Sequence, residues 1–173
     1  MEQGIRAVVE LGSTGIRLLV ATVNEDGTPR VLESASRHTS LGRDVFHSGI
    51  IGRDSVRECV AVLRGFGELL RAYGIRPEDA IVVGTSAMRE AENRDSVVDR
   101  IAMRTGFHVD IVEAIEENHY MFLAVQQALG EDAKLFSKTN SIIMEVGGGS
   151  TELMLLRKGK IVAAHSLRLG TLR

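Results

Sequence analysis

Two segments of this sequence, one near each end, repeat the same pattern. The first is AVVELGSTGIRLLVATVNEDGTPRVL, which begins at Ala7, and the second is IIMEVGGGSTELMLLRKGKIV, which begins at Ile142. Each contains an apolar strand with an acidic residue at its tip (Glu10 or Glu145), a glycine turn with Ser and Thr, a second apolar strand, a charged glycine turn and a third strand. Two copies of one β-meander predict a duplicated fold whose two glycine turns face each other across a cleft.

The composition of the two glycine turns indicates a phosphate ligand. Glycines let backbone N–H groups approach a ligand closely, and Ser and Thr hydroxyls add further donors. An acidic residue at the strand tip can hold a hydrated divalent cation or orient a water. The alternative is that each turn only closes a hairpin, which is the better explanation for the first turn alone and the weaker one for three consecutive glycines. The residues concerned are Gly12, Ser13 and Thr14 in the first turn and Gly147, Gly148, Gly149, Ser150 and Thr151 in the second.

Helices and strands alternate between the two repeats. The first repeat continues as the strand PRVLESASRHTSL, and apolar spacings of three and four then predict a helix over Asp54 to Tyr73. We expect Asp54 or Ser55 to cap this helix and Gly74 to close it. AIVVGTSAMREAEN follows as a buried strand and a polar loop, RDSVVDRIAMRTG as a helix, FHVDIVEA as a strand and EENHYMFLAVQQALG as a third helix.

Two polar clusters follow strands, where open α/β folds usually place function. Arg89 suits a bidentate contact with phosphate, although a solvated capping loop explains it equally well. Glu116 and Glu117 begin a helix, where acidic residues most often complement the helix dipole. The functional alternative is a general base that takes a proton from an attacking water. The five histidines show no metal-ligand spacing.

Composition restricts the class of protein. A chain of 173 residues, 44% hydrophobic and 25% charged, predicts a soluble globular protein with one domain, or one domain and part of a second. The net charge of -2 argues against nucleic acid or a membrane as a partner. The sequence shows no signal-peptide pattern and no membrane-spanning run, and its single cysteine, Cys59, lies among apolar residues, so we expect a cytoplasmic protein.

Six motifs of the chain resemble a known family. In order they are VELGSTGIRLLVA, TSLGRD, GTSAMREAEN, IEENHYMFLAV, EVGGGSTEL and SLRLGTLR, and together they are similar to the N-terminal part of the exopolyphosphatase and guanosine pentaphosphate phosphohydrolase (Ppx/GppA) family. The resemblance implies an α/β, ribonuclease H-like (actin-like ATPase) domain with a central mixed sheet over residues 1–133. It further implies the first strands of a second, duplicated domain over residues 140–173.

The resemblance also implies an activity and roles for individual residues. Family members use Mg²⁺ and a water nucleophile to remove the terminal phosphate of inorganic polyphosphate, of guanosine pentaphosphate, or of both. On this sequence the family's two loop-tip acids, near the metal and the transferred phosphate, are Glu10 and Glu145. The two glycine turns match its phosphate loops, Arg89 its phosphate-facing arginine, and Glu117 the glutamate that activates the water.

The sequence departs from the family at several of these positions. Both tip acids are Glu where most members have Asp, Thr14 replaces an Asn, and His119 stands where an Arg is expected. A misplacement of about 1 Å can lower a rate on the order of a hundredfold. The alternative to a hydrolase is therefore a weakened or inactive module that binds polyphosphate or a nucleotide. A third hypothesis, a kinase of the same superfamily, requires an adenosine pocket from the second domain.

The family's second domain continues beyond SLRLGTLR with several helices. We therefore expect the last three strands to expose apolar surface, which favours a fragment or self-association as a homodimer. Arg37, Arg43 and Arg53 are candidates for a basic polyphosphate channel, and solvated surface charges explain them equally well.

Overall fold

The computed structural model describes residues 4–25, 27–135 and 138–173. The chain divides into two compact units, Met1–Ile111 and Val112–Arg173. The domain limits predicted from the sequence, 1–133 and 140–173, stay a prediction. The strands are β1 (Arg6–Leu11), β2 (Gly15–Val23), β3 (Pro29–His38), β4 (Ile81–Gly84), β5 (Val109–Ile111), β6 (Asn140–Val146), β7 (Thr151–Arg157) and β8 (Lys160–Leu167). The helices are α1 (Leu41–Ser48), α2 (Arg53–Arg71), α3 (Ser86–Glu90), α4 (Arg94–Thr105) and α5 (Ala114–Leu129).

The first unit is built on a five-stranded mixed sheet in the order β3-β2-β1-β4-β5. β1, β2 and β3 pair antiparallel, which confirms the predicted meander, whereas β4 pairs parallel with both β1 and β5. Parallel pairing needs crossover connections, and the helices between β3 and β5 supply them. Asp26, in the predicted NEDG turn, lies outside the described residues, as do Phe136 and Ser137 in the link before β6.

The predicted cap of α2 is wrong. The helix begins at Arg53 with Gly52 at its N-cap, so Asp54 and Ser55 lie inside it. The Asp44 carboxylate accepts the Gly52 N–H at 2.8 Å. A Cβ on Gly52 would lie 3.0 Å from the same carboxylate oxygen. The Asp44 side chain of α1 therefore bonds to the start of α2, where a capping residue within α2 was expected.

Two short helices occur where the sequence predicted no helix. The predicted third strand ends at His38, and α1 follows it. The predicted polar loop after β4 contains α3, in which Ser86, Ala87 and Met88 are buried. Both helices were missed because they are only eight and five residues long and are held by contacts distant in sequence.

The second unit is an antiparallel sheet in the order β6-β7-β8, as predicted, with α5 packed on one face. Met121 of α5 packs with Ile143, Met154 and Leu156. The other face of β6 is exposed. Ile142, Met144 and Val146 are 65%, 65% and 57% exposed, because strand residues alternate between the two faces. The expectation of exposed apolar surface is therefore confirmed. None of the described helices is both long enough and apolar enough to cross a membrane.

Candidate functional site

The first glycine turn is closed by one backbone hydrogen bond, from the N–H of Gly12 to the carbonyl of Gly15 at 2.9 Å. Neighbouring protein atoms lie close to both glycines. A Cβ on Gly15 would lie 2.7 Å from the carbonyl oxygen of Arg37, whereas one on Gly12 would lie 3.0 Å from Glu10 Oε1, at the end of a flexible side chain. The turn therefore requires glycine at Gly15, and a side chain at Gly12 would require its neighbours to shift.

Other parts of the first unit bind the carbonyl groups of this turn. The bonds run from Thr85 N–H to Leu11 (3.2 Å), from Gly42 N–H to Ser13 (2.9 Å) and from Thr39 N–H to Thr14 (3.3 Å). Among the described residues, no hydrogen bond uses the N–H of Ser13 or Thr14. Because the N–H and C=O of a trans peptide point in opposite directions, the Thr14 N–H lies opposite the bonded Ser13 carbonyl. The turn thus presents backbone N–H donors on the side opposite its bonded carbonyls, which suits an anion.

The second glycine turn has the same closure. The N–H of Gly147 donates to the carbonyl of Ser150 at 2.9 Å. The strand register is also repeated, since Arg17 lies opposite Glu10 in the first hairpin and Glu152 lies opposite Glu145 in the second.

The two meanders even share an irregularity. The pairing register shifts between Val20 and Ala21 in the first meander and between Leu155 and Leu156 in the second. Both shifts lie at the same distance along the chain from the tip acid. The half-repeat seen in the sequence is therefore a repeat of backbone structure.

The carbonyls of the second turn are bound by the segment that follows β8. Thr171 N–H donates to Gly147 (3.0 Å), Leu172 N–H to Gly148 (2.9 Å) and the Arg173 guanidinium to Gly149. Gly170 lies so close that a Cβ on it would be 2.4 Å from the Gly148 carbonyl oxygen. Between described residues, no hydrogen bond uses the N–H of Gly148, Gly149 or Ser150. Three backbone donors therefore lie opposite three occupied carbonyls.

The acids at the two strand tips have different neighbours. Glu10 Oε2 accepts a hydrogen bond from Arg17 Nη1 at 2.9 Å, in a partly exposed ion pair. Glu145 is exposed, and the residue opposite it, Glu152, is only 3% exposed. Ser166 Oγ donates to Glu152 Oε1 at 2.8 Å. Sequence reasoning missed both opposing residues, although a four-residue turn fixes which residues face each other across the hairpin.

The first unit also contains Arg89 and a serine that sequence reasoning missed. Ser86 Oγ, at the start of α3, lies 2.8 Å from Ser13 Oγ in a buried hydrogen bond. This bond connects α3 directly to the glycine turn. Arg89 lies one helical turn further along α3 and is partly buried. Its predicted contact with phosphate stays a prediction.

Glu116 and Glu117 are distinguished by the cap of α5. The Glu116 carboxylate accepts the N–H of Glu113, the N-cap residue, at 2.9 Å. Helix capping therefore accounts for Glu116. Glu117 is partly buried in the first turn of the same helix, and its N–H donates to the Glu113 carbonyl at 3.0 Å. Its predicted role as a general base stays a prediction.

The carboxylates at the strand tips provide oxygen ligands, the type that Mg²⁺ prefers. Within the part of the chain that the structure describes, no group of three or more His, Cys, Asp or Glu side chains is arranged to hold a metal ion. Mg²⁺ usually binds through one or two carboxylates and completes its shell with water and substrate phosphates. Each unit has one strand-tip carboxylate, Glu10 in the first and Glu145 in the second, and their predicted role as Mg²⁺ ligands stays a prediction.

Other candidate residues lie outside the glycine turns. Burial raises the pKa of the Cys59 thiol to about 12, so this residue serves packing rather than nucleophilic chemistry. Arg37, Arg43 and Arg53 are all exposed.

Comparison with known proteins gives consistent matches. A profile of the Ppx/GppA phosphatase family matches residues 19–173. Exopolyphosphatase 1 of Mycobacterium leprae is 28% identical over 146 residues, which make up 84% of this chain and 41% of that protein. The crystal structure of an exopolyphosphatase from Cytophaga hutchinsonii has 26% identity and a TM-score of 0.83, over 96% of this chain and 51% of that one.

A further crystal structure, of the Aquifex aeolicus member of the Ppx/GppA family, has 27% identity and a TM-score of 0.75, again over 96% of this chain and 51% of that one. These structures confirm the predicted fold class, an actin-like α/β fold with a central mixed sheet. The chain spans 26% and 41% of the length of the first two curated relatives that it matches, and about half of the solved structures.

Proposed function

Because this chain belongs to the Ppx/GppA phosphatase family, we propose that it acts in the hydrolysis of terminal phosphoanhydride bonds, with inorganic polyphosphate as the substrate. The observation that carries the proposal is the pair of glycine turns. Both are closed by the same hydrogen bond, and both combine occupied carbonyls with backbone N–H groups that no other described residue uses. Preorganised backbone donors of this kind stabilise phosphoryl oxygens in the ground state and the transition state.

In the proposed reaction a water attacks the terminal phosphorus, and the bond to the bridging oxygen breaks. Inorganic phosphate and a shortened chain are the products. Glu117 accepts the proton of the attacking water, and Arg89 offsets charge on the transferred phosphoryl group. The N–H groups of the two glycine turns bind non-bridging oxygens. Most of the rate enhancement comes from positioning and charge stabilisation, as in phosphoryl transfer generally.

Glu10 and Glu145 are the proposed Mg²⁺ ligands. When bound, Mg²⁺ neutralises charge on the phosphate oxygens. Arg17 Nη1 pairs with the Glu10 carboxylate at 2.9 Å in a partly exposed ion pair. The same guanidinium competes with a cation for the carboxylate, which makes Arg17 a determinant of the Mg²⁺ requirement.

Guanosine pentaphosphate is the second candidate substrate, because it ends in the same kind of phosphoanhydride bond. The alternative function is a binding module without turnover. The longer carboxylates at both strand tips and the Glu10–Arg17 pair favour that alternative. A module of this kind binds polyphosphate and releases no phosphate from it.

We propose the cytoplasm as the location and a homodimer as the state in solution. The exposed apolar residues on β6 and β8 support self-association. Light scattering and binding of a hydrophobic dye test the second point. A stable monomer with no dye binding would contradict it.

The decisive experiment measures phosphate release from polyphosphate with Mg²⁺, for the wild-type chain and for Glu117→Gln. Glu116→Gln is the matched control, since it neutralises the neighbouring acid in the same helical turn. Removing a general base should lower kcat by about 10²-fold or more. The control should stay within a few-fold of wild type. Equal losses in both variants would place the base elsewhere, and binding without release from the wild type would establish the alternative module.

A further inference from the structure

A wide groove between α2 and α4 lies on the first unit and shares no residue with the glycine turn. We call it the α2–α4 groove. Its volume is about 910 Å³, and it is open to solvent. Its lining combines four arginines with one acid and one exposed methionine: Arg57, Arg64, Arg100, Arg104, Asp99 and Met103.

The arginines form a row on each wall of the groove. Arg57 and Arg64 are seven residues apart on α2, and Arg100 and Arg104 are four apart on α4. Both spacings place the side chains on one side of their helix. At about 1.5 Å of rise per residue, the two pairs extend over about 10 Å and about 6 Å along the helix axes. The positive charge is thus spread along the groove instead of being concentrated at one point.

The row on α2 continues beyond the groove in both directions. Arg53 lies four residues before Arg57, and Arg71 lies seven residues after Arg64, so both fall on the same side of the helix. One acid, Glu68, lies on this side between Arg64 and Arg71, and all three added residues are exposed. From Arg53 to Arg71 the row is about 27 Å long.

The positive charge of the groove lining contrasts with the net negative charge of the chain. The whole chain carries a net charge of -2, whereas the groove lining has four arginines against Asp99. Arg57 also pairs with Asp54 outside the lining, in a solvent-exposed ion pair that contributes little. The Nε of Arg64 donates to the carbonyl of Arg104 at 3.3 Å, which directs one guanidinium across the groove from α2 to α4.

We propose that the α2–α4 groove binds a linear chain of phosphate groups and serves as a second contact for long polyphosphate, away from the glycine turn. The proposal rests on the proposed function for the identity of the polymer. Guanidinium groups bind phosphate oxygens with bidentate geometry, and a row of them matches an extended anion better than a single phosphate. None of the described residues that line the groove is aromatic, so it lacks the stacking surface on which single-stranded nucleic acids depend.

The test measures binding of long-chain polyphosphate to the full chain in EDTA, over a series of salt concentrations. The test variant is Arg64→Gln/Arg100→Gln. The control is Arg6→Gln/Arg30→Gln, which removes the same charge from exposed positions outside the groove. We expect the affinity of the test variant to fall by about tenfold, and the slope of log K against log salt to decrease by about 1 to 2, since two phosphate contacts are lost. The control should change neither quantity to that extent.

Two outcomes would overturn the proposal. One is an equal loss of affinity in the test and control variants, which would show a general charge effect. The other is tighter binding of single-stranded RNA than of polyphosphate at the groove, detected as a larger loss of RNA affinity in the test variant. Phosphate release by the wild-type chain with Mg²⁺ tests the proposed function separately, because the binding measurement requires no turnover.

Discussion

The two glycine turns are closed in the same way and are supported in partly the same way. Each is closed by a hydrogen bond between its first and fourth residues, at 2.9 Å in both cases. Two carbonyls of the first turn are bound by residues 39 and 42, which directly follow β3, and the adjoining Leu11 carbonyl is bound by Thr85, after β4. Among the described residues, the carbonyls of the second turn are bound by residues 171–173, which likewise follow their own meander. The two copies therefore share one kind of support, and the bond from Thr85 distinguishes the first.

The charge beside the tip acid also differs between the two copies. An arginine lies opposite Glu10, and a buried glutamate lies opposite Glu145. The first hairpin therefore has a neutralised acid, whereas the second has two acids side by side. If Glu10 binds Mg²⁺ as proposed, the cation must displace the Arg17 guanidinium, whereas the buried Glu152 adds a second acid beside Glu145.

The largest expected effect comes from a substitution in the segment that supports the second turn. In Gly170→Ala the new Cβ would lie 2.4 Å from the Gly148 carbonyl oxygen and close to further backbone atoms. We expect the free energy of unfolding to fall by about 1–3 kcal/mol, because backbone atoms cannot move aside to make room for the new Cβ. Urea unfolding measures this change. Gly65→Ala is the control, because nothing lies within 4 Å of its Cβ, and a helical alanine should stabilise by about 0.5–1 kcal/mol. An unchanged midpoint for Gly170→Ala would show that the segment does not support the turn.

A second variant tests the distant support of the first turn. Ser13→Ala removes a buried partner from the Ser86 hydroxyl, 2.8 Å away. We expect it to destabilise by about 1 kcal/mol, the usual net value of one intramolecular hydrogen bond. The double variant Ser13→Ala/Ser86→Ala should lower the free energy of unfolding by less than the sum of the two single changes, because it leaves no buried hydroxyl without a partner. Strictly additive losses would show that the two serines are not coupled.

The smallest expected effect concerns the charges beside the tip acids. Arg17→Gln should lower the Mg²⁺ concentration for half-maximal phosphate release by a few-fold, because the cation no longer competes with a guanidinium. Its effect on stability should stay below about 1 kcal/mol, as for other partly exposed ion pairs. Glu152→Gln, which keeps an acceptor for Ser166, should raise that Mg²⁺ concentration. Shifts in the same direction in both variants would contradict the proposed difference between the two hairpins.

The sequence was sufficient for the features that depend on local patterns. Alternating apolar residues and glycine turns predicted both meanders, and the repeat itself predicted the duplication. The helices α1 and α3 were missed because they are short and because distant bonds hold them, such as Gly42 N–H to Ser13 and Ser86 to Ser13. The cap of α2 was missed for the same reason, since Asp44 comes from another helix.

The candidate site was predictable to a similar extent. Glycines, hydroxyls and tip acids are visible as a motif, whereas Arg17 and Glu152 become neighbours of those acids only when the strand register is known. For Glu116, a role at the end of the helix is supported, because its carboxylate accepts the N–H of the N-cap residue. The roles of Arg89 and Glu117 rest on the family resemblance, because residue type alone does not distinguish a catalytic glutamate from a capping one.

The anion-binding groups of both glycine turns belong to the peptide backbone. Peptide N–H groups do not titrate in the physiological range, and they cannot be removed by exchanging a side chain. Phosphate held by these turns should therefore be bound equally well from mildly acidic to mildly alkaline solution, apart from the protonation of the phosphate itself. The pH profile of phosphate binding to the turns should then follow the protonation of the phosphate alone.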